Sequence, residues 1–572
     1  MRKKVCVILV VALAVLCGVP FWAQKGEDTP LQKKAKALKK HLENKGFTVN
    51  EGQFLPLNAV EWYCSGFLYS CNMNNAGAPY NIVHPPPPPE GNYGTDTPFP
   101  SFRMRRDEAV VLVGPTPPKC TYYSYALFLW YRWDQAQGRT RKLFDTLGQP
   151  LNRFLLNTGG LDFDKNIVLT FTCDKKVDKD VREAARDAGF PEDVLNTYVV
   201  PSSGLNTNDA LDSASDSMVI VQRTALVTGP KNAEDPIVFR VTPNSPTPPA
   251  QLKPFPAPEL RVRGTGKTEM DWRPAVETLR GSILASYPGR TPEEYTTIQY
   301  LEQSPIAIQS WVNTLGDSSD TTYLGTQENF KLADDPEDFL IVYGVNHAKT
   351  QKALYGNINV YKACGLCGVA TVFNVTTDNQ QGYENTAQDY LTGPQPFDPS
   401  YLFAYKISRD CGNDPHCLQV PTSNECSKGA ALNDDLALGF RAYLEPKTKT
   451  GPSYTELQFE KVLHYSAPPP QIQDPDGEPH EGTFPDSIPV TLYATSPMPG
   501  ALRWQADYEY IDNPCCGILE PRNGIVGSDG SIHFVFTPNR HGTYFVEVTV
   551  LDEHDRQTCA EVEIKSKLIE QR

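Results

Sequence analysis

The sequence predicts a mixed α/β (α+β) chain, with a β-rich central body containing at least one βαβ unit and a separate β-sandwich at the C-terminal end. Three observations predict it. Residues 167–172 and 196–200 are strand-like and flank a helical stripe of Val177, Val181, Ala184, Ala185 and Ala188 that stops at Gly189. That order implies some parallel pairing. From Phe339 onward short apolar runs follow one another, at 339–345, 358–361, 369–375, 402–407, 437–444 and 457–465. Beyond a Pro-rich stretch at 467–482, five further strand signals recur at the spacing of a sandwich.

The elements are justified in chain order. Arg2, Lys3 and Lys4 precede an apolar run at 5–19, which Pro20 ends. This is the pattern of a secretory signal peptide over 1–24, and the run is shorter than the roughly 20 residues that span a bilayer. Phe21-Trp22-Ala23 is a poor cleavage site, so retention as an anchor is the alternative. Residues 25–100 read as an N-terminal helix and a Pro-rich arm. Thr29-Pro30 opens the helix, Leu31, Ala35, Leu38 and Leu42 line it, and Gly46 stops it. Pro85 to Pro89 form a stiff polyproline spacer.

Residues 101–245 form the α/β region. It holds the apolar run 109–113, the aromatic run 122–131, the βαβ unit, and strands at 217–227 and 237–241. Residues 246–466 form the β-rich region, with helices expected at 273–285 and 292–301; one body with the preceding region and two separate bodies are the alternatives. Residues 467–482 are a linker, and 483–568 the terminal sandwich. Fifty prolines and 40 glycines in 572 residues agree with turns and strands rather than long helices.

Charge and cysteines bound the function. The net charge is −15, and −18 without the three basic residues of the leader. A surface this acidic repels phosphate backbones, so no nucleic-acid partner is expected. Cys6 and Cys17 fall in the leader, which leaves twelve of the 14 cysteines for an oxidising compartment. Disulfides are the default there, with Cys64, Cys71, Cys364, Cys367, Cys411, Cys417, Cys515, Cys516 and Cys559 as candidates. Cys411–Cys417 is the expected local bridge, and Cys559 is expected to meet Cys515 or Cys516. The alternatives for Cys364-Gly365-Leu366-Cys367 are a redox pair or, with Cys411, Cys417 and Cys426, a zinc site; the spacing favours neither.

Catalytic motifs are sparse. There is no H-E-x-x-H and no G-x-S-x-G. Arg263-Gly264-Thr265-Gly266-Lys267-Thr268 mimics the end of a P-loop, but Arg261 stands where its first glycine belongs. His347 directly follows a buried strand and is the candidate catalytic residue. Asp162 and Asp164 would share one face of a strand and are the candidate metal ligands or acid/base pair. Neither a metal nor a cofactor is called for.

In the terminal sandwich, Gly542-Thr543-Tyr544-Phe545-Val546-Glu547-Val548-Thr549-Val550-Leu551-Asp552 resembles the Gly-x-Tyr-x-Val-x-Val-x-Val-x-Asp strand of bacterial immunoglobulin-like and PKD-type modules. The resemblance implies an Ig-like fold, a spacer or adhesive role, and a bacterial source. The Cys…Trp…Cys spacing of antibody domains is absent. The sum is a secreted, periplasmic or cell-surface protein that binds an extracellular or envelope partner, with no transmembrane segment after leader removal. Whether it is an enzyme is left open, and a secreted hydrolase with an α/β–β core is the alternative.

Overall fold

A computed structural model describes residues 27–88, 100–208, 211–300, 306–378, 380–466, 471–475, 477, 479–496, 501–507, 517–539, 541–552 and 557–567. The leader, the last proline of the spacer, Cys515 and Cys516 lie outside them. Strands account for 40% of the structure and helices for 15%. They form six sheets, paired into three sandwiches.

The mixed α/β expectation is therefore corrected: the molecule is a β-protein. Almost all its pairings are antiparallel. Among the described strands, parallel pairs occur only where an outermost strand is added to a sheet, as Leu195–Val199 is beside Asn166–Thr172. The helical stripe at 177–188 is real, since Lys175–Asp187 buries Val177, Val181, Ala184 and Ala185. It is a local connection lying on one sheet, and does not organise the fold.

The first sandwich has an outer sheet in the order Phe47–Glu51, Ile237–Pro243, Ala109–Pro115, Asn166–Thr172, Leu195–Val199. Its inner sheet runs Gln53–Leu57, Tyr80–His84, Ser217–Val227, Cys120–Asp134, Arg139–Thr146. The second sandwich repeats this order. Its outer sheet runs Glu293–Tyr295, Lys461–Tyr465, Phe339–Val345, Leu402–Ser408, Cys417–Gln419. Its inner sheet runs Thr297–Gln299, Thr321–Thr326, Leu436–Tyr443, Tyr355–Lys362, Cys367–Phe373. Each of these strands thus has a counterpart in the other half, in the same sequence order; the two-residue strand Leu151–Asn152, paired with Cys120–Asp134, is extra to the first half. A helix precedes each half, Pro30–Asn44 and Arg273–Ser286, and packs its apolar stripe on the outer sheet.

Side-chain chemistry follows the same equivalence. Glu108 precedes the central outer strand of the first half and pairs with Arg240 at 2.6 Å. Asp338 occupies that place in the second half and pairs with His464 at 2.7 Å. The Thr172 hydroxyl donates to the Glu108 carbonyl at 2.8 Å, and the Ser408 hydroxyl to the Asp338 carbonyl at 3.1 Å. The same hydroxyls accept from the N–H of Asp174 and of Asp410. The parallel edge strand is reached through a helix in the first half. In the second it is reached through a short loop closed by Cys411–Cys417.

The helix expected at 292–301 is also corrected. Glu293–Tyr295 and Thr297–Gln299 are short edge strands, one on each sheet. Tyr295, Thr296, Thr297 and Ile298 are aromatic or β-branched, and cross-strand packing favours them over a helix.

The two inner sheets face each other. Their facing side chains form shared apolar clusters, such as Tyr122 and Ala225 against Tyr355 and Tyr443. The third sandwich packs Trp504, Phe534 and Phe536 against the inward side chains Tyr544, Val546, Val548 and Val550, while Phe545 points outward.

Candidate functional site

The site lies between the two inner sheets and is built by exchange of loops. In each half the connection after the first inner strand reaches across to the opposite half. The 58–79 connection carries the helix Ala59–Cys64 and is fastened to the second half by Cys64–Cys426 and Cys71–Cys367. Backbone bonds Cys71 N to Gly365 O, 2.8 Å, and Met73 N to Leu366 O, 3.0 Å, fix its course. The return connection from the second half ends on Asp145: Thr314 donates to it from its backbone N–H at 2.7 Å and from its hydroxyl at 2.5 Å. Gly316 N donates to Phe144 O at 2.7 Å. Gly316 has φ +76°, and a Cβ there would sit 2.3 Å from the Phe144 ring, so only glycine fits. Asp320 accepts from Asn152 at 2.8 Å and from Tyr122 at 2.9 Å.

Arg223 and Arg441 hold the centre. Arg223 pairs across the sheet with Tyr80, and Arg441 with Tyr323. The Arg223 guanidinium lies 6.0 Å from the Tyr80 ring and 5.1 Å from Phe128; that of Arg441 lies 5.5 Å from Tyr323 and 6.0 Å from Tyr361. Each reaches across the interface through Nη2, Arg223 to the Gly316 carbonyl and Arg441 to the Met73 carbonyl. This reciprocity is that of a two-fold interface, here formed within one chain.

These arginines line a cavity of about 70 Å³ walled mainly by Trp62, Trp130, Phe144, Tyr80, Tyr323 and Tyr361. Both are buried, at 7% and 6% exposure, and both stay charged. Among the described residues neither meets a carboxylate, and Arg223 Nε and Arg441 Nη1 have no hydrogen-bond partner. Asp320 is the nearby acid, and its two oxygens are taken by Asn152 and Tyr122. Burial raises it to about 6. Burial also keeps the Tyr122, Tyr323 and Tyr355 phenols protonated. Beside the cavity, Lys142 donates to Asn72 at 2.7 Å and lies 4.9 Å from the Trp130 ring; burial pushes its ammonium down to about 8.

The residues singled out from sequence lie elsewhere. His347 is 1% exposed, with Nδ1 2.8 Å from Glu269 and Nε2 3.2 Å from Glu460. Burial opposes its charge, but the two glutamates outweigh burial and raise it to about 10. The triad ties the segment before helix Arg273–Ser286 to the ends of two outer strands. Asp162 and Asp164 sit in a loop, not a strand, which corrects the shared-face reading. Asp164 has φ +53°, and Asp162 pairs with Arg153 at 2.8 Å. Among the described residues no three His, Cys, Asp or Glu side chains are arranged to hold a metal.

Cys411 and Cys417 are joined, and Cys64, Cys71, Cys367 and Cys426 are spent on the two cross-half bridges. That leaves no four-cysteine zinc set. Cys120, Cys173, Cys364 and Cys559 are free, and burial raises the first two to about 12. The P-loop mimic does hold an anion, but the protein's own: Thr265 N and Gly266 N donate to Glu456 at 3.0 and 2.6 Å. Sequence reasoning missed Arg223 and Arg441. The available signal was a lone charged residue, an arginine, inside each of two mainly apolar strands.

No family model matches the chain, and no curated protein matches it. Solved structures similar to parts of it include the PKD domain of an M14-like peptidase from Thermoplasmatales archaeon SCGC AB-540-F20. The identity is 18%, over 18% of this chain and 99% of that one, with a TM-score of 0.15. The Yersinia pseudotuberculosis adhesin InvE shares 11% identity over 26% of this chain and 45% of its own, with a TM-score of 0.14. DIP-gamma IG1+IG2 shares 9% identity over 42% and 97%, with a TM-score of 0.12. These are weak, partial likenesses, and none of them names a function for this chain.

Proposed function

We propose that the protein is an exported binding protein. Its two repeated sandwiches clamp a small ligand between their inner sheets, and the third sandwich is a spacer that presents them at a cell surface or in the envelope. The observation that carries this reading is the cavity on the internal two-fold, lined by Arg223 and Arg441 from equivalent positions. A mainly apolar cavity with a few convergent polar groups is the usual form of a ligand site. Export is supported by the basic-then-apolar leader and by three disulfides, two of which join positions 362 and 296 residues apart. No helix among the described residues is long and apolar enough to cross a membrane. His347 has both ring nitrogens engaged by glutamates, so the one histidine singled out for catalysis is not free to act as a base.

The test is a thermal-melt screen of the secreted protein against small charged and neutral compounds, with native mass spectrometry for stoichiometry. A ligand at ten times its Kd should stabilise the fold by about 1.4 kcal/mol. One compound bound per chain and released unchanged is the expected result. A panel without binders, or a binder converted to product, overturns the reading.

A further inference from the structure

We propose that the ligand of this cavity is a small organic carboxylate with a flat apolar body, its carboxylate held between Arg223 and Arg441. The inference rests on the cavity being a binding site and names the chemistry of what fills it.

Two buried guanidiniums in one cavity are an unbalanced arrangement. Buried charge is retained at low cost only when it is paired and hydrogen-bonded. Arg240 has Glu108, Lys352 has Glu445 and Glu456, and His347 has Glu269 and Glu460. Buried Arg409 has no acid, but all three of its nitrogens donate to backbone carbonyls or Thr422. Arg223 and Arg441, which share one cavity, have neither arrangement. Their ionisable neighbours are mostly tyrosines, which stay neutral because they are buried. Each arginine spends its Nη2 on one carbonyl across the interface and leaves other N–H groups unpaired. Asp320 acts on Arg223 at a distance, but its oxygens are engaged by Asn152 and Tyr122 and it hydrogen-bonds neither arginine. The unpaired donors on both arginines would be met by an anion from outside the chain.

The kind of anion follows from geometry. A guanidinium fork matches the two oxygens of a carboxylate. The remaining wall is aromatic, with Trp62, Trp130 and Phe144 among its residues, and would take an apolar, planar body. Lys142 packs behind two lining residues, Trp130 and Asn72, and has no carboxylate partner among the described residues. An inorganic anion would satisfy the arginines but leave the aromatic wall unfilled; a benzene-sized body takes a void of about 150 Å³, so the cavity of about 70 Å³ must widen to seat the ring.

Benzoate and benzamide are the probes, because they share one flat ring and differ in charge. Isothermal titration and thermal melts of the intact, disulfide-bonded protein should show one benzoate per chain. Benzoate should bind at least tenfold more tightly than benzamide. Arg223→Gln and Arg441→Gln should each lower benzoate affinity about tenfold or more and leave benzamide affinity within a factor of about three. The wild-type comparison needs no variant, so a variant that fails to fold does not shield the inference. Equal affinity for the two probes would overturn the carboxylate and leave the binding cavity standing. Binding of inorganic phosphate or sulfate as tightly as benzoate would reassign the site to simple anions. No binding of either ring compound, when other members of the ligand screen do bind, overturns this inference alone. No binding by any compound overturns both this inference and the proposed function.

Discussion

Arg223 and Arg441 are the same residue twice. Each lies on the third strand of an inner sheet, each faces a tyrosine on the neighbouring strand, Tyr80 or Tyr323, and each donates to a backbone carbonyl of the opposite half. Two buried charges placed so regularly, with no carboxylate hydrogen-bonded to either among the described residues, are the basis of the proposed ligand site.

That view predicts an unusual mutational sign. Arg441→Met replaces an uncompensated buried charge with an apolar chain of similar length. The ligand-free protein should keep its stability to within about 1 kcal/mol, or gain, while benzoate no longer raises its melting temperature. Urea unfolding with and without benzoate checks this. A loss of several kcal/mol in the ligand-free protein would mark the arginine as structural.

The two cross-half bridges should be strongly non-additive. With Cys64–Cys426 intact, Cys71–Cys367 closes a ring of only about 66 residues and should contribute about 4 kcal/mol in the loop-entropy picture. Removing the second bridge frees a far longer loop and should cost more, about 5–6 kcal/mol by the same logarithm. Cys411→Ser with Cys417→Ser should cost only about 2 kcal/mol. Denaturant midpoints of the serine pairs, singly and combined, measure these steps.

Asp145 gives the interface a pH signature. Burial lifts its carboxyl to about 7, with Asp317 adding to the rise and the Thr314 bonds and Arg132 opposing it. The folded state therefore holds a proton that the unfolded chain gives up near its ordinary value of 3.8. Stability should rise as pH falls from 7 towards 5, and Asp320, lifted to about 6, acts in the same direction. Asp145→Asn should flatten most of that slope. A wild-type stability that falls over this interval contradicts the assignment.

The His347 triad acts in the same direction, over a higher pH window. Its folded value is raised from 6.5 to about 10, so its contribution is complete below 6.5 and is lost as pH rises through 10. His347→Gln leaves Glu269 and Glu460 buried without a cation and should cost about 3–5 kcal/mol. Ligand affinity should be unchanged. A variant that keeps its stability but loses ligand binding or any catalytic turnover would return His347 to a functional role.

Much of the strand content was legible in the sequence. The apolar run ending in Val345 and the aromatic run from Tyr122 are buried strands because nothing else accommodates so many apolar side chains on two faces. The internal repeat was not legible, since equivalent positions keep chemistry and not identity. Glu108 with Arg240 becomes Asp338 with His464, and Thr172 becomes Ser408. Cys364 and Cys367 are neighbours in sequence, yet only Cys367 is bridged, to Cys71. The site itself arises where two remote strands meet across an interface. No local spacing links Arg223 to Arg441.

A crystal structure of the protein grown with benzoate tests the central claim most directly. The account predicts one benzoate between the inner sheets, its carboxylate within hydrogen-bond reach of Arg223 and Arg441 and its ring against the Trp62–Trp130 wall. A cavity holding only water, with benzoate absent or bound elsewhere on the chain, would contradict it.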